Sequence, residues 1–70
     1  MEIIGKYDVE SLYNGQPEKI IIAKYPNGKY YNHYNYDEKR MMGTGIAGGY
    51  DTQEEAERYL LKHRPTARKI

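Results

Sequence analysis

The run EKIIIAKY, residues 18–25, sets three consecutive β-branched isoleucines between polar flanks, a pattern that resists a helix and suits a pleated strand. Pro26-Asn27-Gly28 follows at once. Proline presets φ for the second position of a type I turn, and glycine accepts the left-handed conformation of the bulge after it. KYYNHYNYD, residues 29–37, therefore returns as the second arm of a tight hairpin. If the bulge pairs Tyr25 with Lys29, Ile22 faces Asn32 and Ile20 faces Tyr34. One face then carries Ile20, Ile22, Tyr30, Tyr34 and Tyr36, and the other Ile21, Ala23, Tyr25, Tyr31 and His33. A two-residue Asn-Gly turn shifts the register by one and reshuffles both sets, because side chains alternate with a period of two.

Upstream, YDVESLY, residues 7–13, alternates as a half-buried strand does, with Tyr7, Val9, Ser11 and Tyr13 against Asp8, Glu10 and Leu12. A short helix capped by Asp8 and stopped at Asn14-Gly15 also fits, with Val9, Leu12 and Tyr13 on one side; the strand is the favoured reading. Gly15-Gln16-Pro17 makes a turn. Downstream, DEKR at residues 37–40 is polar enough for a turn, and residues 41–50 return as a third, irregular strand weakened by glycines. Asp51-Thr52-Gln53-Glu54-Glu55 then opens a helix, since Thr52 can cap the amide of Glu55 and the Glu55 carboxylate can reach back. Ala56, Tyr59, Leu60 and His63 form one apolar stripe, Glu54 and Arg58 are a favourable i, i+4 pair, and Pro65 ends the helix. Residues 65–70 are expected as a mobile basic tail.

The fold class implied is α+β, a small antiparallel sheet of three strands, or four, with one C-terminal helix packed on one face. Seventy residues make a single domain, 1–70, with a small core. Seven Ile, three Leu and one Val, with no Phe or Trp, leave nine Tyr to supply much of the buried area. A buried Tyr must find a hydrogen-bond partner or keep its hydroxyl at the surface. The absence of Cys excludes disulfides and thiolate metal sites and favours an intracellular, cytoplasmic setting. No apolar run approaches the roughly 20 residues of a membrane span, and MEIIGKYDVE has no signal-peptide pattern.

The net charge of +1 points to no polyanion partner, but its distribution is uneven: residues 1–57 carry −4 and residues 58–70 carry +5. Arg58, Lys62 and Arg64 close a helix that starts acidic, a polarity the macrodipole favours in any case. The alternative is a basic segment for phosphates. A single helix covers one side of a sheet, so the opposite side, with Tyr25, Tyr31, Ile21 and His33, is expected to be solvated. A contiguous Tyr and Ile cluster there has the composition of an interface.

NGKYY, the polar turn DEKR and then GGYDTQEEAERYL resemble the last part of the arm-type DNA-binding domain at the N-terminus of phage and transposon integrases. The matching residues are Gly28, Lys29, Gly48, Gly49, Tyr50, Thr52, Glu55 and Ala56, and the resemblance spans about residues 18–62. It implies a three-stranded sheet with one helix that reads DNA through the sheet face, here as a stand-alone module. The chain departs from that pattern where DNA contact is made, since its strands and turn offer only Lys19, Lys24, Lys29, Lys39 and Arg40 among Tyr and Asn.

MGTGIAGG, residues 42–49, contains a literal G-x-G-x-x-G. A dinucleotide fingerprint needs a strand before it, a helix starting inside it and an acid about 20 residues on. Here the helix starts later, among Asp51, Glu54 and Glu55, which repel phosphate, and residues 63–70 hold no acid. These glycines are read as a flexible edge segment. Catalysis finds little to use: one Ser, Ser11, and two His, His33 and His63, lack a nucleophile elbow or metal-ligand spacing, and Asp8, Asp37 and Asp51 are scattered.

The chain is therefore read as a non-enzyme without cofactor or metal, and two binding roles remain. In the first, a small regulator or inhibitor of phage or mobile-element type docks its Tyr-rich face on a larger protein, through Tyr25, Tyr31, His33, Ile21 and Tyr34; a homodimer uses the same kind of surface. In the second, Tyr30, Tyr31, Tyr34 or Tyr36 stack on nucleic-acid bases while Lys24, Lys29, Lys39, Arg40 and the basic tail meet phosphates.

Overall fold

The computed structural model describes residues 1–10 and 17–70. The end of the 7–13 segment and most of the Gly15-Gln16-Pro17 turn lie outside the described residues. The elements are β1 (Glu2–Glu10), β2 (Pro17–Lys24), β3 (Tyr30–Tyr34), β4 (Gly45–Tyr50), α1 (Gln53–His63) and β5 (Arg68–Lys69). The strands form one sheet in the order β4-β3-β2-β1-β5, each neighbour antiparallel to the next, and α1 packs on it. The α+β class is as expected, with five strands among the described residues rather than three or four.

The hairpin between β2 and β3 follows its sequence signal. Gly28 donates to the Tyr25 carbonyl at 2.9 Å, Tyr25 donates to the Lys29 carbonyl at 2.9 Å, and Gly28 has φ of 80°. Of the two registers, the bulged one holds: Ile22 stands opposite Asn32 and Ile21 opposite His33. The helix also starts where its cap demands, with the Thr52 hydroxyl accepting from the Glu55 amide at 3.1 Å. It stops at His63, one residue before the Arg64 cap and two before Pro65.

Ala56 and Leu60 on α1 seal the first core against Tyr7, Val9, Ile20 and Ile22, with Tyr30, Tyr34 and Tyr50 packed around it. Asn32 ties sheet to helix, its side-chain amide donating to the Ala56 carbonyl at 2.9 Å in a buried position. A second cluster, Ile21, Ala23 and Tyr36 with Tyr25 against them, occupies the opposite face.

Four expectations are corrected. First, β1 begins at Glu2, five residues before the alternating segment, because a bulge between Ile3 and Gly5 interrupts the period-two pattern there. Second, the expected mobile tail contributes β5: Lys69 pairs with Tyr7, Arg68 with Asp8, and Ile70 donates to the Lys6 carbonyl at 2.9 Å. Third, Tyr36 lies in the second cluster and not beside Ile20 and Ile22. Asn35, at φ 52°, takes the left-handed conformation and breaks the alternation, after which Tyr36 donates to the Lys19 carbonyl. Fourth, the face away from the helix is not simply solvated: Ile21 is 0% and His33 2% exposed.

Candidate binding surface

Antiparallel partners share a face, so the pairings lay the surface away from α1 out in cross-strand rows. Ile3, Ala23, Tyr31 and Gly48 form one row; Lys6, Ile21, His33 and Ile46 form the next. The hairpin turn delivers Tyr25 over the first row, and the left-handed Asn35 delivers Tyr36 under the second. Tyr25 and Tyr31 meet with ring centroids 4.3 Å apart, Tyr25 and His33 stack at 5.9 Å, and Tyr36 meets His33 edge-on at 5.9 Å. The result is a continuous aromatic ribbon.

Hydrogen bonds fix its outer members. The Tyr25 hydroxyl and His33 Nε2 are 2.8 Å apart, and the Asn27 amide donates to the Tyr31 hydroxyl at 3.1 Å. Burial lowers the His33 pKa and favours its neutral form, and its Nδ1 has no hydrogen-bond partner among the described residues. Gly48 is required by the ribbon: a Cβ there would overlap the ring of Tyr31, which lies across the glycine. An aromatic over a glycine of an edge strand replaces the missing side-chain packing.

Tyr25 and Tyr31 remain half-exposed, and beside them Ile46 is 57% exposed. Beyond Tyr34 the chain forms an arm closed by the Asp37–Met42 bridge, whose tip presents Lys39, Arg40 and the exposed Met41 and Met42. Lys39 also donates its backbone N–H to Asp37 Oδ1 at 2.9 Å, which holds the tip's turn.

The cations around this surface are mostly committed to carboxylates. Lys29 bonds Asp51, which raises its pKa; Lys19 reaches Glu38 at 3.2 Å and Lys6 reaches it at 3.7 Å, and together they lower the Glu38 pKa, the bond to Lys19 contributing most. Arg40 lies 3.8 Å from Asp37, Arg64 bonds Glu18 at 2.8 Å, and the Lys24 ammonium sits over the ring of Tyr30.

The structure thus brings together Tyr25, Tyr31, His33 and Ile21 of the sequence-derived set, with His33 and Ile21 as buried supports. Tyr34 is separated from them, on the helix face, where it meets His63 edge-on and Arg64 lies over its ring. Lys29 stands at the hairpin end, and Lys39 and Arg40 are on the arm. The two histidines are on opposite faces of the sheet and form no pair. Sequence reasoning overlooked Tyr36 as a support, Asn27 as the clasp on Tyr31, and Met41, Met42 and Ile46 as the exposed apolar border. An Asn before Gly in the turn, a Met pair and an Ile inside a glycine run were the available signals.

No group of three His, Asp or Glu side chains converges among the described residues, and no helix among them is long and apolar enough to cross a membrane. No protein-family model matches the chain, and no curated protein or solved structure matches it significantly.

Proposed function

We propose that this domain is a non-enzymatic protein-binding module that docks on a larger protein through the Tyr25–Tyr31 platform and its apolar border. The carrying observation is that both rings are half-exposed yet held in place, Tyr25 by His33 and Tyr31 by Asn27 and the bare backbone of Gly48. A pre-positioned aromatic pair loses little rotamer freedom on binding and offers both contact area and hydrogen-bonding tips. Ile46, Met41 and Met42 extend the apolar area. The nucleic-acid reading has less support, because Lys19, Lys29 and Arg40 each face a carboxylate that phosphate would have to displace. A role as a small regulator or inhibitor follows from the binding chemistry: the surface can occlude a partner without altering it covalently.

The test is affinity capture from host lysate with and without nuclease, comparing the native chain with Tyr31→Leu, which keeps apolar bulk over Gly48 but removes the ring and hydroxyl. A protein retained by the native chain and lost by the folded variant is the expected result. Retention that disappears on nuclease treatment, together with DNA affinity that falls steeply with salt, would replace this reading with the nucleic-acid one.

A further inference from the structure

The two edges of the sheet are built differently. β5 is two residues long, Arg68-Lys69, and such short, cationic edges discourage strand pairing. β4 is six residues, GIAGGY, without a charge or a proline, and among the described residues β3 is its only neighbour. The bond from Tyr25 to Lys29 fixes the alternation of the β2–β3 ladder, so Tyr31 and His33 turn their backbone groups toward β2. Tyr30, Asn32 and Tyr34 therefore bond β4, through Gly45 and Ala47. The N–H and C=O groups of Ile46 and Gly48 are left pointing away from the sheet.

We propose that β4 is a self-association edge, pairing antiparallel with β4 of a second copy of this chain. Two properties select that occupant. Three of the six residues of β4 are glycine, so two identical backbones can approach with little side-chain obstruction. The flanks are also complementary to themselves under two-fold symmetry. With the axis at Ile46, the two exposed Ile46 side chains come together, and Met42 comes beside Tyr50 of the second copy. Lys39 at the arm tip then approaches Glu54 at the acidic helix entry of the second copy, and symmetry makes each contact twice. An edge of this length alone buries far less than the roughly 1,200 Å² of a stable complex, so the arms must contribute. The dimer is accordingly weak, with a dissociation constant on the order of micromolar or above. It leaves the Tyr25 and Tyr31 rings outside the paired strands but draws on Ile46 and Met42, so a second copy and a larger partner compete for that part of the border.

Sedimentation velocity on the full chain between about 1 μM and 1 mM reads this directly. Ile46→Pro removes an N–H that points outward, a substitution edge strands accept, so it spares the ladder to β3 while deleting an intermolecular bond. Ile46→Lys places a charge at the same site and serves as a second variant, because the native side chain is 57% exposed. The expected result is concentration-dependent dimerisation of the native chain, weakened about tenfold or more in either variant at an unchanged melting temperature. Slowed hydrogen exchange at the Ile46 and Gly48 amides should accompany dimer formation. A native chain that stays monomeric across the range overturns the proposal, and so does a dimer that both variants leave intact.

Discussion

Under α1, the sheet buries aliphatic side chains against a separate element, and Leu60 and Ala56 lie fully inside beside Ile20 and Ile22. On the other face no helix is available, yet Ile21 and Ala23 are equally inaccessible. There the cover is made by the sheet's own aromatic side chains, Tyr25, Tyr31 and Tyr36, folded down over their neighbours with His33 between them. A helix covers a face by adding a layer, whereas a tyrosine ribbon covers it by lying flat and keeps its hydroxyls at the surface. The second arrangement closes a core and still presents a surface for contact, which a chain with nine Tyr and no Phe can achieve.

The equivalence of the two cores is open to direct attack. Leu60→Ala and Ile21→Ala should each cost about 2–5 kcal/mol in chemical denaturation, as deletions from closed cores do. A loss below about 1 kcal/mol for Ile21→Ala alone would show the ribbon to be a loose cover. Gly48→Val should cost about 1–3 kcal/mol, because its side chain must displace the Tyr31 ring. The same change should open the Tyr25–Tyr31 contact, visible as altered ring chemical shifts. Tyr25→Phe, which removes one hydroxyl and leaves His33 Nε2 without its partner, should cost about 1 kcal/mol.

Acid and alkali should separate the faces. Burial lowers the His33 pKa below its ordinary 6.5, so the unfolded chain binds a proton first as the pH falls. The corresponding stability is complete above about pH 6.5 and declines below it, and His33→Gln should flatten that decline. On the helix face, burial raises the pKa values of Tyr7 and Tyr34 above their ordinary 10.0, with the Glu57 carboxylate adding to the effect at Tyr7. Stability from that face is complete below about pH 10 and lost above it, which melting curves at alkaline pH would record.

Signals confined to a few consecutive residues were legible in the sequence. Pro26-Asn27-Gly28 marks its turn from the φ preferences of three residues, and Thr52 with Glu55 determines where α1 begins; the sequence left two hairpin registers open, of which the structure has the bulged one. Features set by distant partners were not legible. β5 has no apolar period to reveal it, being held by backbone bonds to β1. The bulge near Gly5 hid the first half of β1. The burial of His33 and Ile21 depends on where Tyr36 points, and that rests on one left-handed Asn35 whose conformation no hydrophobic pattern encodes. The shared face of Ile21, Ala23, Tyr25, Tyr31 and His33 was therefore legible, but its inner and outer members were not distinguished.

The path of α1 from the β4 edge to β5 has a consequence for the order of assembly. During synthesis, β1, β2, β3 and β4 each meet a neighbour that has just emerged, and contacts of that kind form quickly. β5 instead returns to Tyr7 and Asp8, across the longest sequence separation of the pairings in the sheet. The outer edge of β1 therefore stays uncovered until α1 has turned the chain back, and sealing it is the slowest of these contacts to form.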